Sequence, residues 1–428
     1  MNPHCIKYCF AALLIACAAV YFPVSGLQFQ LNWDDGWMVM NRYTENGFTW
    51  DNLRAISTET WYGQYSPVNQ LFYTTIYYFF WQNSAVYHLN CLLLHFANAC
   101  LVFLLIYRIL SYAKRTDEKT SIIVSFFVAF LFCIHPLQVE SVAWISASKV
   151  ILYSFFSLLA FLAYLKYTHT DKLKYYALAF ALFVLSCGSK EQAVALPASL
   201  ILLDWAMKRS MKNADVWIEK LPFIIFAVFF GLFTMSMQSP ALVQEWAGYT
   251  FLQRLPLACY ALVEYTVKLA LPVNLLHLYL FPMAPSEALP LRMLIYPALI
   301  LVATIGLFTV RKNWIVIFGV CFFLINIALT VHIAPMSRYN IVADRYVYLP
   351  CIGLFFVGVW YIVSYLQSLT KKRRQWYYAI AVCYVLYLGI YAHQRTKVWY
   401  DNDSLKKELR ELIDKNIQTE TSENQQNQ

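Results

Sequence analysis

Charged residues in this chain gather where apolar stretches stop, and several of these gatherings could do chemistry together. Trp33, Asp34, Asp35, Gly36 and Trp37 follow the first apolar stretch. His135, Glu140 and Lys149 lie in HPLQVESVAWISASK between two others, and Ser189, Lys190, Glu191 and Gln192 separate a further pair. Arg338, Asp344 and Arg345 come just before Tyr346. Carboxylates facing cations across one cavity suit a displacement at a carbon linked to phosphate, such as sugar transfer from a lipid phosphate. One carboxylate takes the proton of the attacking hydroxyl while cations offset the charge left on the departing phosphate. Neighbouring Asp34 and Asp35 point to different sides of an extended loop, so at most one of them is the base. Arg345 is the first choice for the phosphate because its planar fork makes paired, charge-assisted bonds to phosphate oxygens, with Lys149, Lys190 and His135 as further donors. Each also has a plainer reading. An Asp beyond a helix caps the next one, Lys190 and Glu191 close a turn as an ion pair, and His135 before Pro136 ends its helix. Asp401 and Asp403 make only a weak metal signal, so no metal site is assigned and a divalent cation stays open.

These loops need a scaffold that brings them together, and the composition says of what kind. Of 428 residues, 60% are hydrophobic and 13% charged, against ~25% charged in an ordinary soluble domain. A water-soluble enzyme is thereby excluded. The 32 Tyr, 31 Phe and 13 Trp, beside 12 Gly and 15 Pro, also exclude a disordered or collagen-like chain. A formal charge of +9 would suggest nucleic acid in a soluble protein. Sorting Lys and Arg by membrane side removes that reading, so the expected partner is a lipid bilayer and not a nucleic acid. The 11 Cys are scattered without a CxxC pair and read as small buried hydrophobes.

Crossing ~30 Å of hydrocarbon takes about 17–25 apolar residues as a helix. About 11 stretches qualify or nearly do, at residues 5–28, 88–107, 121–134, 150–167, 175–187, 193–207, 221–237, 292–310, 314–331, 346–369 and 376–392. The first reads as a retained helix because no A-x-A cleavage pattern follows it. With residue 1 inside, the inner loops hold more than half of the 33 Lys and Arg. Cytoplasmic loops carry such an excess, which puts the N-terminus inside, the C-terminus outside and the charged gatherings outside. Residues 250–281, where Glu264 and Lys268 pair four apart, and residues 66–81 are read as amphipathic helices along the outer interface. Residues 1–400 form the membrane domain and 401–428 a tail, a short amphipathic helix followed by disorder. The expected class is an all-α polytopic membrane protein.

Several stretches together resemble a known family: NWDDGWMVMN, YSPVNQLFY, FCIHPLQVESVAWISASK, LSCGSKEQAVALPASLILLDW, VADRYVYLPCIG and RTKVWYDNDSL. In this order they are similar to the transmembrane and tetratricopeptide-repeat (TMTC-type) glycosyltransferases and their bacterial relatives. The resemblance implies a GT-C glycosyltransferase fold and a polyprenyl-phosphate-linked sugar donor. It also implies a non-cytoplasmic active site and a first-loop carboxylate, Asp34 or Asp35, as base. The second-loop acid maps onto Glu140, and Tyr65, Glu191, Tyr346 and Tyr348 become candidates for substrate contact. Relatives transfer mannose to Ser or Thr hydroxyls, which implies O-glycosylation of an exported protein. The tail carries none of the family's repeats, so a lipid or cell-surface glycan acceptor remains open, and a bacterial inner membrane is the expected location. A transporter of lipid-linked sugars is the competing class. It calls for polar groups at mid-membrane on paired repeats, and the sequence has neither.

Overall fold

A computed structural model of the chain describes residues 3–114, 116–237, 249–285, 287–333 and 340–411. Arg338 and the last part of the tail lie outside them. Among the described residues the only β pairing consists of isolated bridges, Trp61 with Gln64 and Tyr279 with Val342.

Everything else regular is helical. After α1 (Pro3–Tyr21) come three short helices, α2 (Asp35–Met38), α3 (Arg42–Glu45) and α4 (Trp50–Thr58), then α5 (Pro67–Phe80). Side-chain caps start two of them: Asn41 accepts from the backbone of Tyr43 and Thr44, and Thr49 accepts from Asn52. Next are α6 (Ser84–Ala113), α7 (Glu118–Ile134), α8 (Val139–Ala143), α9 (Ser148–Thr170), α10 (Leu173–Ser189), α11 (Leu196–Ala206), α12 (Ala214–Ile218) and α13 (Leu221–Ser236). Beyond these lie α14 (Phe251–Ala270), α15 (Ile295–Thr309), α16 (Trp314–Ile327), α17 (Cys351–Ser368) and α18 (Lys371–Thr396). Residues 402–411 form α19.

Among the described residues seven stretches are long and apolar enough to cross a membrane: His4–Gly26, Ser84–Ala113, Ile145–Thr170, Ala214–Ser236, Leu291–Thr309, Cys351–Ser368 and Lys371–Trp399. An eighth results if α7 and α8, bent by 57° at the break before Pro136, form one span. The chain is therefore a multi-pass membrane protein. The other stretches among the expected 11 fall in shorter helices, whose ends the sequence does not show. Residues 175–187 fall in α10, of 17 residues, and residues 314–331 in an apolar run of similar length, both at the short limit of a crossing. Residues 193–207 yield only α11, of 11 residues, because Glu191–Ala195 is wound as a tighter 3-10 turn before Pro197. Residues 66–81 and 250–281 supply α5 and α14, neither of which is among the seven.

At the centre α9 packs against α10 and α6, α7 packs against α6 and α17, and α1 lies against α7 and α18. α16 and α17 cross where Gly319 meets Gly353, so closely that a Cβ on either would collide with the carbonyl oxygen of the other. No residue of α15 is buried, and its exposed Leu301, Val302, Ile305 and Phe308, with Ile380, Val382 and Ile390 on α18, form the outward apolar surface that hydrocarbon solvates.

One end of α9 carries Lys149. About 15 residues further on, roughly 22 Å at the helical rise, Tyr164 meets a buried ion cluster in which Lys220 pairs with Asp204 and Arg209 with both Asp204 and Glu219. That network is closed on itself, whereas the polar groups at the other end of α9 surround a cavity.

Candidate active site

The first loop is held by Asp35, not presented by it. Asp35 is fully buried, and its carboxylate accepts from the backbone N–H of Gln30 at 2.8 Å, from the backbone N–H of Ser146 at 2.9 Å and from the Ser146 hydroxyl. Burial is the largest influence on it and pushes the carboxyl up to about 6, although the donors from Ser146 and Gln30 pull the other way. The loop can close this tightly because position 36 is glycine, where a Cβ would run into the Leu31 carbonyl. With Asp35 turned inward, Asp34 faces the cavity, and its Oδ1 accepts from the Trp37 indole at 3.2 Å.

The His135-Pro136 break re-aims the chain at the end of α7, so that α8 runs beneath the cavity with Glu140 on it. Glu140 grips Arg345 twice: Oε2 accepts the Arg345 backbone N–H at 2.7 Å, and Oε1 pairs with the guanidinium. The guanidinium lies 5.3 Å from the Trp144 ring centre and 4.9 Å from that of Tyr346. Burial alone would weaken its charge, but Glu140 outweighs burial and holds Arg345 more firmly protonated than a free arginine. Next to it, burial first and the Glu140 carboxylate second raise the Asp344 carboxyl well above its ordinary range, and Asp344 accepts from the Tyr279 hydroxyl at 2.8 Å.

From the opposite wall Lys149 reaches in from the start of α9, donating to Gln64 Oε1 at 2.9 Å, with no carboxylate in ion-pair range among the described residues. Lys190, almost wholly buried, lies 3.5 Å from Glu191 where α10 ends. These groups, with Tyr65 and Tyr346, line one cavity of about 710 Å³. The structure thus brings together Asp34, Glu140, Lys149, Lys190, Glu191, Arg345, Tyr65 and Tyr346 from five separate parts of the sequence. Asp34 and Lys149, without ionic partners among the described residues and set among buried ion pairs, can take up a proton and an anion respectively.

Three candidates do not reach it. Asp35 is spent on Ser146 and Gln30 as above. His135 is fully buried, its Nδ1 accepting from the Leu137 backbone at 3.3 Å and its ring packed 5.2 Å from Phe355, so it ends α7 and binds nothing in the cavity. Tyr348 turns into the core, where its hydroxyl bonds Asn98 and His95. The His95 ring, with Cys17 and Cys133, places three ligand-type atoms within 4.8 Å of one another. Both nitrogens of His95 are already taken, by Tyr348 and by the Cys133 carbonyl, so this is a packed core contact. Asp401 accepts from the backbone N–H of Ser404 at the start of α19 while Asp403 points to solvent, so the Asp-x-Asp pair shares no ligand.

The sequence reading missed Gln64, which steadies Lys149, Trp144, which stacks on Arg345, and His277, which lines the cavity behind α14. Trp144 could have been found from its place four residues after Glu140. His277 could not, because its stretch reads as an interfacial helix. No family model, no curated protein and no solved structure matches this chain.

Proposed function

We propose that the chain is a membrane glycosyltransferase of GT-C type that moves a sugar from a polyprenyl phosphate to a hydroxyl. The observation that carries this reading is the convergence of Asp34 and Lys149, which have no ionic partner among the described residues, with Lys190 and Glu140-held Arg345 on one cavity beside apolar helices. Asp34 takes the acceptor hydroxyl's proton as the new bond to the anomeric carbon forms. The bond from that carbon to the phosphate oxygen breaks, and the electron pair leaves with the phosphate, whose charge Lys149, Lys190 and Arg345 offset. Fixed cations make the charge compensation available without a resident metal, and a divalent cation would have Asp34 as its nearest free carboxylate. The resemblance supports a Ser or Thr hydroxyl of an exported protein as acceptor, with a lipid or surface glycan as the alternative. It also supports an inner bacterial membrane, while the distribution of Lys and Arg supports a cytoplasmic N-terminus and a periplasmic site.

The test is reconstitution in liposomes with polyprenyl phosphomannose, other polyprenyl-phosphate-linked hexoses, and Ser/Thr peptide, glycan and lipid acceptors. Transfer from at least one donor is expected, falling about 10²–10⁴-fold in Asp34→Asn with the fold intact. Full activity in Asp34→Asn overturns the base. No transfer from any donor to any acceptor overturns the reaction class.

A further inference from the structure

The cavity has one more polar wall, built by the tail. His277 is 5% exposed and lines the cavity in the segment after α14, with its ring edge-on to Trp33 at 5.9 Å between centres. Its Nδ1 bonds Oε2 of Glu408 on α19, while the other Glu408 oxygen pairs with Arg395 at the end of α18. Burial raises the Glu408 carboxyl, but the bond from His277 and the charge of Arg395 outweigh burial and leave it below its ordinary range. Glu408 is therefore a carboxylate, which only accepts, so the hydrogen between the two residues belongs to Nδ1 of His277. In the neutral imidazole the lone pair is then on Nε2. Among the described residues Nε2 has no hydrogen-bond partner and is not sealed within the protein.

A fixed ring nitrogen beside the Trp33 indole matches a sugar ring, whose hydroxyls donate to Nε2 of the neutral imidazole or accept from it in the imidazolium, and which offers C–H groups on its face. Resting on the proposed transfer reaction, we infer that His277 recognises one hydroxyl of the donor sugar, and that Glu408 and Arg395 are positioning residues that fix its tautomer and angle. Selection of the sugar thus depends on α19, a part of the tail far in sequence from the other cavity residues. A site built to pair with a hydroxyl discriminates strongly against a sugar that lacks it, because the ring nitrogen is then covered by the ligand and left unpaired.

The experiment is a coupling cycle with polyprenyl phosphomannose and its 2-, 3-, 4- and 6-deoxy analogues, measured on the full chain in liposomes. In the wild-type protein one deoxy position is expected to lose roughly tenfold or more in kcat/KM. His277→Phe should lose a similar factor with the complete sugar, mainly through KM, and lose nothing further with that one analogue. His277→Gln, which keeps an acceptor near the same place, should restore much of the discrimination. Glu408→Ala should blunt it with His277 still present, and it carries the test if His277→Phe fails to fold by gel filtration. Losses that multiply at every deoxy position, or a coupling that follows the acceptor hydroxyl instead, overturn the inference while leaving the transfer reaction standing. Absence of transfer by the wild-type protein overturns the reaction first and the inference with it.

Discussion

Glu140 does two things for Arg345: it fixes the backbone by accepting its N–H and it supplies the counter-charge that lets a guanidinium stay in a buried place. The Arg345 fork is thus partly spent before any ligand arrives, and Lys149, held only by neutral groups, is the cation with most to give to an anion. Asp35 shows the cost of the same tightness. Its carboxyl titrates at about 6 in the folded chain against an ordinary 3.8, so the folded state holds the proton more firmly than the unfolded state does. The stability it contributes is complete below pH 3.8 and is lost as pH rises through about 6. Thermal unfolding in detergent should accordingly show wild-type protein losing up to about 3 kcal/mol more than Asp35→Asn between pH 4 and 7. Parallel pH profiles for the two proteins would show that burial of Asp35 is not what sets its proton affinity. Why Asp34 faces the cavity and Asp35 the protein was not legible in the sequence, since two adjacent carboxylates in one loop differ only through Ser146, distant in the chain. His135 and Tyr348 were misplaced for a related reason: composition marks a polar residue near a helix end but not whether a neighbouring carbonyl or hydroxyl has already satisfied it.

At the level of elements, hydropathy located the long helices, and the other expected crossings fall in helices of 17 residues or fewer. Apolar length survives in the sequence, but the 3-10 turn at Glu191–Ala195 that shortens α11, beside cavity-lining Lys190 and Glu191, does not. The break at His135-Pro136 was visible as a proline, and its effect, aiming α8 across the helix ends, needed the fold. The crossing of α16 and α17 is the element contact with least tolerance. Hydrocarbon offers no hydrophobic drive for two apolar helices to meet, so close backbone approach and van der Waals packing have to supply it. Gly319→Val puts a branched side chain against the Gly353 carbonyl, and overpacking of this kind costs typically 1–3 kcal/mol. A lower unfolding temperature is expected for Gly319→Val but not for Gly358→Val on the same helix pair, because a Cβ at Gly358 meets nothing within 4 Å. Equal loss in both would place the weakness in helix propensity and not in the crossing.

For the whole molecule, the two ends of α9 define an axis: the open, partly unpaired cavity around Lys149 and the closed ion network around Lys220, whose partners Asp204, Arg209 and Glu219 leave no charge to spare. A cavity that takes lipid-linked substrate must open where that substrate's head group lies, so the direction of this axis across the bilayer decides what the protein can reach. The uneven distribution of Lys and Arg between alternate loops sets an expected direction, with the cavity end away from the cytoplasm. Ser57 on α4 is exposed on the cavity side of the chain, and Lys172 between α9 and α10 is exposed at the opposite end. Of the native cysteines, Cys383 is exposed only along the apolar α18, where a charged reagent does not go. A charged, membrane-impermeant thiol reagent applied to sealed cells should therefore modify Ser57→Cys and spare Lys172→Cys until the membrane is opened. The reverse pattern would put the cavity in the cytoplasm, where Asp34 and Lys149 would meet soluble phosphate esters and the polyprenyl-linked donor would lose its topological basis.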